Sequence, residues 1–312
     1  MATSASTNFN LNRTQILRAA ALKIHAIDGN ETMSADMESD FNIALNAMVK
    51  RWNAKGIRVW TVREATLFPA VSQVKYALAS GGADHATETY YATTLSAAEA
   101  ASQTTLSVTS STNMTVADNI GIVLDNGTLF WTTISSKTST TVTVASAITS
   151  AAASGNAVFN YTTKLVRPLK IVDVRRYNIA GATDTPISLT ARLDYQTLPN
   201  KAATGSINQI FYDPQLSTGY LYLWQAPSTI KDLLKFTWHK PIEDFDAAGD
   251  NPDLPQEWID TLIFNLAVVM APEYDVGTEK FNQVRSLAAE FLDDVSGFDR
   301  EAESIFFQPD YR

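Results

Sequence analysis

Five carboxylates lie between residues 243 and 253, and carboxylates are the side chains that bind hard cations such as Ca²⁺. From Asp244 their spacing is D-x-D-x-x-x-D-x-x-D, whereas a calcium loop needs alternating ligands, a glycine at the turn and a distal Glu. We interpret the stretch as a solvated linker, with an incidental cation site as the alternative. The carboxylates are Glu243, Asp244, Asp246, Asp250 and Asp253.

Other residue types that carry catalysis are isolated in the sequence. The three histidines, His25, His85 and His239, lie far apart and none has a partner at H-E-x-x-H spacing. The chain has no cysteine, no G-x-S-x-G elbow and no phosphate-binding G-x-x-x-x-G-K-[ST] loop. We therefore predict no catalytic residue, metal site or cofactor, and we expect a protein that is not an enzyme.

Composition limits the remaining function classes. The 312 residues carry a formal net charge of −9, which disfavours general nucleic-acid binding through a basic surface. The absence of cysteine excludes disulfides. Residues 1–15 lack the basic and apolar regions of a secretory signal, and no apolar run reaches the roughly 20 residues that span a bilayer. We expect a soluble protein made in a reducing cytosol, with no membrane partner.

The N-terminal quarter has the pattern of a helical hairpin. Apolar residues recur at helical spacing from Ile16 to Ile27, and again from Met37 to Trp52. Ser34 is a suitable N-cap for the second helix. Acidic residues near its start and basic residues near its end complement the helix dipole, and Gly56 suits the position after the last turn.

The middle of the chain has β character. Residues 93–163 are rich in Ser, Thr and Ala, with short alternating runs and an Asn126-Gly127 pair, a strong hairpin signal. They predict a small barrel or sandwich, with a disordered Ser/Thr linker as the alternative. Longer runs over 164–250 predict a second antiparallel sheet. Pro-containing turns bound its strands.

Two helices are predicted after this region, over 256–271 and from Thr278 to about Val295. The first is apolar on nearly every side, which indicates burial against more than one partner. The N-terminal hairpin can cover one side, and we expect a neighbouring copy of the chain to cover the other. The predicted subunit-interface residues are Trp258, Ile259, Leu262, Phe264, Leu266, Val268 and Met270.

Two further sets of residues suggest contacts with partners. Basic residues cluster around the end of the N-terminal hairpin and along one strand, where they could bind phosphate, balance helix-end charge or form intersubunit ion pairs. They are Lys50, Arg51, Lys55, Arg58, Arg167, Lys170, Arg175 and Arg176. The C-terminal segment is aromatic without a helix or strand period, so we predict docking into a partner, with packing onto its own domain as the alternative. Its docking residues are Ile305, Phe306, Phe307, Pro309, Tyr311 and Arg312.

The two helical segments resemble a known family. The stretch "ILRAAALKIHAIDGNETMSADMESDFNIALNAMVKRWNAKGI", followed later by "EWIDTLIFNLAVVMAPEYDVGTEKFNQVRSLAAEFLDDV", is similar to the head-to-tail adaptors of short-tailed bacteriophages, also called tail accessory factors or packaged-DNA stabilisation proteins. The family's N-L-A…A-P-x-Y pattern matches Asn265, Leu266, Ala267, Ala271, Pro272 and Tyr274. The β interior also resembles longer phage neck proteins at "DNGTLFWTTI", "YTTKLVRPLKI", "FYDP" and "GYLYLWQAPS".

This resemblance implies a structural virion protein in the neck between head and tail, assembled in the host cytoplasm. It implies a homo-oligomer, a dodecameric ring beneath the portal protein, which closes the filled head and offers a platform for tail tube or nozzle proteins. Double-stranded DNA would pass without sequence recognition, and an acidic wall would let it slide because it repels phosphates.

The predicted fold class is α+β, a helical platform with inserted antiparallel β modules. Residues 1–68 and 251–298 would form the helical core and 69–250 the inserted β region, and 299–312 would be the docking tail. The alternative function is a tail-associated carbohydrate- or receptor-binding protein. It would use Trp131, Tyr220, Tyr222 or Trp224 as stacking surfaces, although their alternation along strands also suits a core. A cell-wall hydrolase lacks a recognisable acid–base pair.

Overall fold

The computed structural model describes residues 9–55 and 59–298. The chain folds into two compact units. The helical unit combines the described residues up to Thr61 with those from Pro241 onward, and the β unit is Val62–Lys240. The prediction placed the boundaries at 68/69 and 250/251, so each boundary of the β unit lies several residues earlier than predicted.

Five α-helices are present in the described part of the chain. The helical unit holds four of them, and a short one lies in the β unit. Their bounds are α1 Arg13–Lys23, α2 Ala35–Lys55, α3 Arg192–Thr197, α4 Ile259–Met270 and α5 Thr278–Phe298. Single 3-10 turns, Gln256–Trp258 and Ala271–Tyr274, flank α4.

Local sequence explains where the first two helices begin. Asn12 caps α1: its side chain accepts a hydrogen bond from the backbone N–H of Gln15, and the Gln15 side chain accepts one from the backbone N–H of Asn12. The Ser34 hydroxyl accepts one from the backbone N–H of Met37 at 3.2 Å, the N-cap contact predicted for α2. Both caps satisfy amide groups that the first helical turn leaves without partners.

The β unit contains sixteen strands in three sheets. Their bounds are β1 Val62–Leu67, β2 Lys75–Leu78, β3 Ala86–Thr87, β4 Tyr91–Thr94, β5 Thr105–Ser107, β6 Asn119–Val123, β7 Leu129–Lys137, β8 Thr141–Val144, β9 Ala157–Tyr161, β10 Lys170–Asn178, β11 Thr183–Leu189, β12 Thr204–Gly205, β13 Gln209–Pro214, β14 Gly219–Trp224, β15 Ala226–Pro227 and β16 Asp232–His239.

The largest sheet has eight strands in the order β2-β14-β13-β11-β10-β16-β1-β3 and forms a nearly closed barrel. Its interior is apolar, with Phe236 and Trp238 fully buried. β1 and β16 pair antiparallel, and Val62 lies opposite His239. The chain therefore enters and leaves the β unit at neighbouring points, which lets its two distant ends share one helical unit.

The Ser/Thr-rich segment folds into six antiparallel strands in the order β4-β9-β6-β7-β8-β5. A bridge between Leu95 and Val108, with a hydrogen bond from the backbone N–H of Thr109 to the Thr94 carbonyl, joins the two outer strands and closes a small barrel. The Asn-Gly pair forms the β6–β7 turn, as its sequence predicts, and Gly127 adopts a φ of 79° that side chains disfavour. The third sheet has two strands, β12 and β15.

The predicted fold class, a helical platform with inserted antiparallel β modules, is wrong. The fold is β-rich. The large sheet also departs from the prediction in two ways: β1, β2 and β3 join it from before the small barrel, and β11 pairs with β13 in parallel. Within the region 164–250, which was predicted to be a second antiparallel sheet, Arg192–Thr197 form the helix α3. Helices of 11 to 21 residues give a strong periodic signal, whereas most of these strands are too short to do so.

Gly121 allows the small barrel to pack closely on one side. It pairs with Trp131 across β6 and β7, and a Cβ atom built at Gly121 would lie 2.8 Å from the Trp131 indole. That indole is held on its other sides by Phe68 and Tyr161, so it has little room to move. We expect Gly121→Ala to lower the free energy of unfolding by about 1–3 kcal/mol through overpacking.

Chemical denaturation monitored by tryptophan fluorescence measures this loss. Gly81→Ala is the matched control, because a Cβ atom there meets no other atom within 4 Å. Equal stability of the Gly121→Ala and Gly81→Ala proteins would contradict the packing argument.

Candidate functional site

The predicted subunit-interface helix lies inside the helical unit. α4 packs against α1, α2 and α5, and five of its predicted interface residues are buried, while Phe264 and Val268 are half-buried. Phe264 packs edge-on against Phe291 of α5 at 5.0 Å between ring centroids. The chain therefore covers both sides of this helix itself, and the need for a neighbouring copy there does not arise. The second cover is α5, and not a neighbouring copy as predicted. The buried five are Trp258, Ile259, Leu262, Leu266 and Met270.

The residues that carry the family resemblance connect the helices to one another. Asn265 donates from its amide to the Thr261 carbonyl at 2.9 Å and to the Ala288 carbonyl of α5 at 3.2 Å. Pro272 stands in the first turn of the 3-10 segment that ends α4. Tyr274, in the same segment, contacts Phe41 of α2 with ring centroids 5.6 Å apart. The pattern thus joins the C-terminal helices to each other and to the N-terminal hairpin.

Charge is distributed very unequally between the two units. Segments 1–61 and 241–312 contain 22 acidic and 11 basic residues, while segment 62–240 contains 11 acidic and 13 basic residues. The negative charge of the whole chain therefore belongs to the segments of the helical unit. A surface of this sign repels phosphate and attracts basic partners.

The acidic stretch 243–253 forms an ordered loop of the helical unit. The Asp250 carboxylate accepts hydrogen bonds from the backbone N–H groups of Asp246 and Ala247, and Asp244 forms an ion pair with Lys50 at 2.6 Å. The carboxylates of Asp244 and Asp250 thus have partners within the protein. Among the described residues there is no group of three or more His, Cys, Asp or Glu side chains that could hold a metal ion.

Three of the predicted basic residues, Lys50, Arg175 and Arg176, lie beside carboxylates of their own unit. Lys50 pairs with Asp244, Arg175 contacts Glu64 and lies 3.9 Å from Asp184, and Arg176 lies 3.5 Å from Asp232. Arg51 and Lys170 are exposed, and Arg167 is half-buried. Arg58 lies outside the described residues, as do all six predicted docking residues of the C-terminal segment. Lys55 is the last residue of α2.

The aromatic residues of the alternative function are divided between two places. Trp131 belongs to the contact between the small barrel and the large sheet. Tyr220, Tyr222 and Trp224 share one half-exposed face of β14. There Lys75 lies 3.7 Å from the centre of the Tyr220 ring, and Tyr222 stacks on Phe211 at 5.7 Å. The indole N–H of Trp224 donates to the Asn200 carbonyl. These rings already have partners in the fold.

An aromatic cluster that includes His85 lies between the two large sheets of the β unit. The His85 ring stacks on Trp131 at 4.0 Å, and its Nδ1 lies 2.6 Å from the Tyr161 hydroxyl. Burial, with the charge of Lys164 as a smaller cause, lowers the pKa of His85 to about 3. No sequence pattern indicated this contact, because His85 and Tyr161 are 76 residues apart.

Among the described residues, no helix is both long enough and apolar enough to cross a bilayer.

The low pKa of His85 predicts acid sensitivity. An ordinary histidine titrates near 6.5, so between about pH 6.5 and 3 the unfolded chain binds a proton that the folded chain excludes. The stabilisation is complete above pH 6.5 and is lost as the pH falls toward 3. Solvent screening at this partly exposed ring leaves an expected loss of about 1–3 kcal/mol on acidification.

Urea denaturation at several pH values between about 7 and 4 measures how the free energy of unfolding depends on pH. His85→Phe keeps an aromatic ring on Trp131. In this variant the free energy of unfolding should fall less steeply with decreasing pH than in the unmodified chain. His25→Asn is the control, because His25 is exposed and has a positive φ that asparagine tolerates. An unchanged pH slope in His85→Phe would contradict the assignment.

No protein-family model matches the chain, and no curated protein matches it.

Proposed function

We propose that this chain is a structural virion protein, a head-to-tail adaptor of a short-tailed phage. Copies of it form a ring beneath the portal, close the DNA-filled head and provide both the tail attachment platform and the DNA conduit. The observation that carries the proposal is the helical unit built from both ends of the chain. Its connecting residues, Asn265, Pro272 and Tyr274, belong to the pattern on which the resemblance rests.

The charge distribution supports the same role. The helical segments carry twice as many acidic as basic residues. A conduit whose wall repels phosphate lets DNA slide without adhering, because cationic contacts to the backbone would hold it. The β unit has nearly balanced charge.

Attachment to the portal is assigned to the C-terminal segment. It contains Phe306, Phe307 and Tyr311 among polar residues, and large aromatic side chains at a chain end supply much binding energy when a partner buries them. The resulting mechanism is passive assembly, with no chemical step.

The test mixes the purified chain with the portal ring of the same virus and looks for an added ring by negative-stain electron microscopy. We expect capture by the full chain. A chain that ends at Ile305 should lose most capture, by a factor of about 100 or more, because it lacks all three aromatic anchors.

Leu216→Ala serves as the control, since Leu216 is a large apolar residue that is 97% exposed in the β unit. It should be captured like the unmodified chain. Undiminished capture of the truncated chain would refute tail docking. Failure of the full chain to add a ring, together with binding on a glycan array, would favour the carbohydrate-binding alternative.

A further inference from the structure

The helical unit exposes one large apolar residue on α2 and another on α5. Ile43 of α2 is 66% exposed and Leu287 of α5 is 39% exposed. We infer that α2 of one copy packs alongside α5 of a second copy, with the two helices parallel. The inference rests on the proposed function, because it identifies the contact through which copies of the adaptor would join.

On α2, Asp36, Ile43 and Lys50 follow one another at intervals of seven residues, and we call them the α2 seam. Seven residues make nearly two full turns, so the three side chains lie along one line of the helix. All three are exposed or half-exposed, whereas Phe41 and Leu45 on the opposite side are buried in the core. The α2 seam therefore runs acidic, apolar, basic from its N-terminal end.

On α5, Lys280, Leu287 and Asp294 have the same seven-residue spacing, and we call them the α5 seam. Lys280 is half-buried, and Leu287 and Asp294 are exposed. Gln283 and Glu290 are exposed between them on the same side of the helix. The α5 seam runs basic, apolar, acidic, which is the reverse of the α2 seam.

The two seams match only when the helices run in the same direction. Each spans 14 residues, or about 21 Å. In parallel register, Asp36 meets Lys280, Ile43 meets Leu287 and Lys50 meets Asp294. The antiparallel arrangement would bring acidic residues together at one end and basic residues at the other, which electrostatics disfavours. Charge order thus selects one orientation and one register.

Lys50 remains able to take part although it already binds Asp244. Its side chain is 46% exposed, and its ammonium group has three N–H donors. One goes to the Asp244 carboxylate and one to the Ile242 carbonyl at 2.8 Å. The third can reach a carboxylate of a second copy. Asp36 and Lys280 form no ion pair among the described residues.

A contact between two different surfaces can repeat from copy to copy. Such a heterologous interface makes a ring if the rotation closes and a filament if it does not. One helix pair buries less than the roughly 1,200 Å² of a stable complex, so copies should separate in dilute solution. They would join when a platform raises their local concentration.

Cysteine cross-linking tests the pairing, and the chain has no cysteine of its own. An Ile43→Cys chain is mixed at high concentration with a Leu287→Cys chain and treated with a short bismaleimide. We expect the mixed dimer to exceed the Ile43→Cys homodimer at least fivefold, and the double variant to give a ladder of oligomers. Ala289→Cys, on an exposed side of α5 away from the seam, is the matched control and should give little mixed product.

Charge exchange tests the register. Asp36→Lys places two lysines at one end of the contact and should lower the cross-linking yield about fivefold. With Asp36→Lys in the Ile43→Cys chain, adding Lys280→Asp to the Leu287→Cys chain restores opposite charges across the contact and should restore the yield. Equal amounts of homodimer and mixed dimer, or no recovery in the charge-exchanged pair of chains, would overturn the proposed contact.

The cross-linking and charge-exchange experiments use the chain in solution without a portal ring. Failure of the helix contact can therefore be distinguished from failure of the proposed adaptor role. Cross-linking without portal capture would retain the helix contact and reject the adaptor role. Portal capture without the mixed cross-link would retain the adaptor role and reject this contact. Circular dichroism of each variant establishes that the helices are intact, because all the substituted residues lie at the surface or its margin.

Discussion

The helical unit depends on the burial of α4. This helix is apolar on nearly every side, and residues such as Leu262 and Leu266 are fully buried. Each such side chain stabilises the fold by about 1.5–3 kcal/mol relative to exposure to water. The cover comes from α1 and α2 near one end of the sequence and from α5 near the other. The β unit must therefore return the chain close to its point of entry, and the pairing of β1 with β16 does so.

Sequence patterns identified four of the five described helices, because each of those four is long enough to repeat its apolar spacing over several turns. The Ser34 cap, the hairpin of α1 and α2, and the amphipathic α5 all follow from local spacing and end residues. The β6–β7 turn was likewise predicted from the Asn126-Gly127 pair alone. The predicted fold class was wrong because it treated these helices as the main part of the fold. The described residues contain sixteen strands, most of them short, and the fold is β-rich. Parallel pairing of β11 with β13 depends on contacts between distant segments, which no local pattern encodes.

The candidate sites were also difficult to predict, because their contacts join distant segments of the chain. The apolar character of α4 indicated burial on more than one side, but it could not distinguish α5 from a second copy as the cover. Basic residues that looked like a patch, such as Arg175 and Arg176, meet carboxylates from other strands. Conversely, the stacking of His85 on Trp131 joins residues without any sequence relation. The charge difference between the two units could be counted from the sequence once their boundaries were known.

We propose that this chain is a building block of the neck in a phage particle. The most direct measurement is gold labelling of intact virions with an antibody against the chain, followed by electron microscopy. If the chain belongs to the neck, we expect several labels per particle, confined to the single vertex where head and tail meet. Label distributed over the capsid, or confined to the distal tip of the tail, would contradict it.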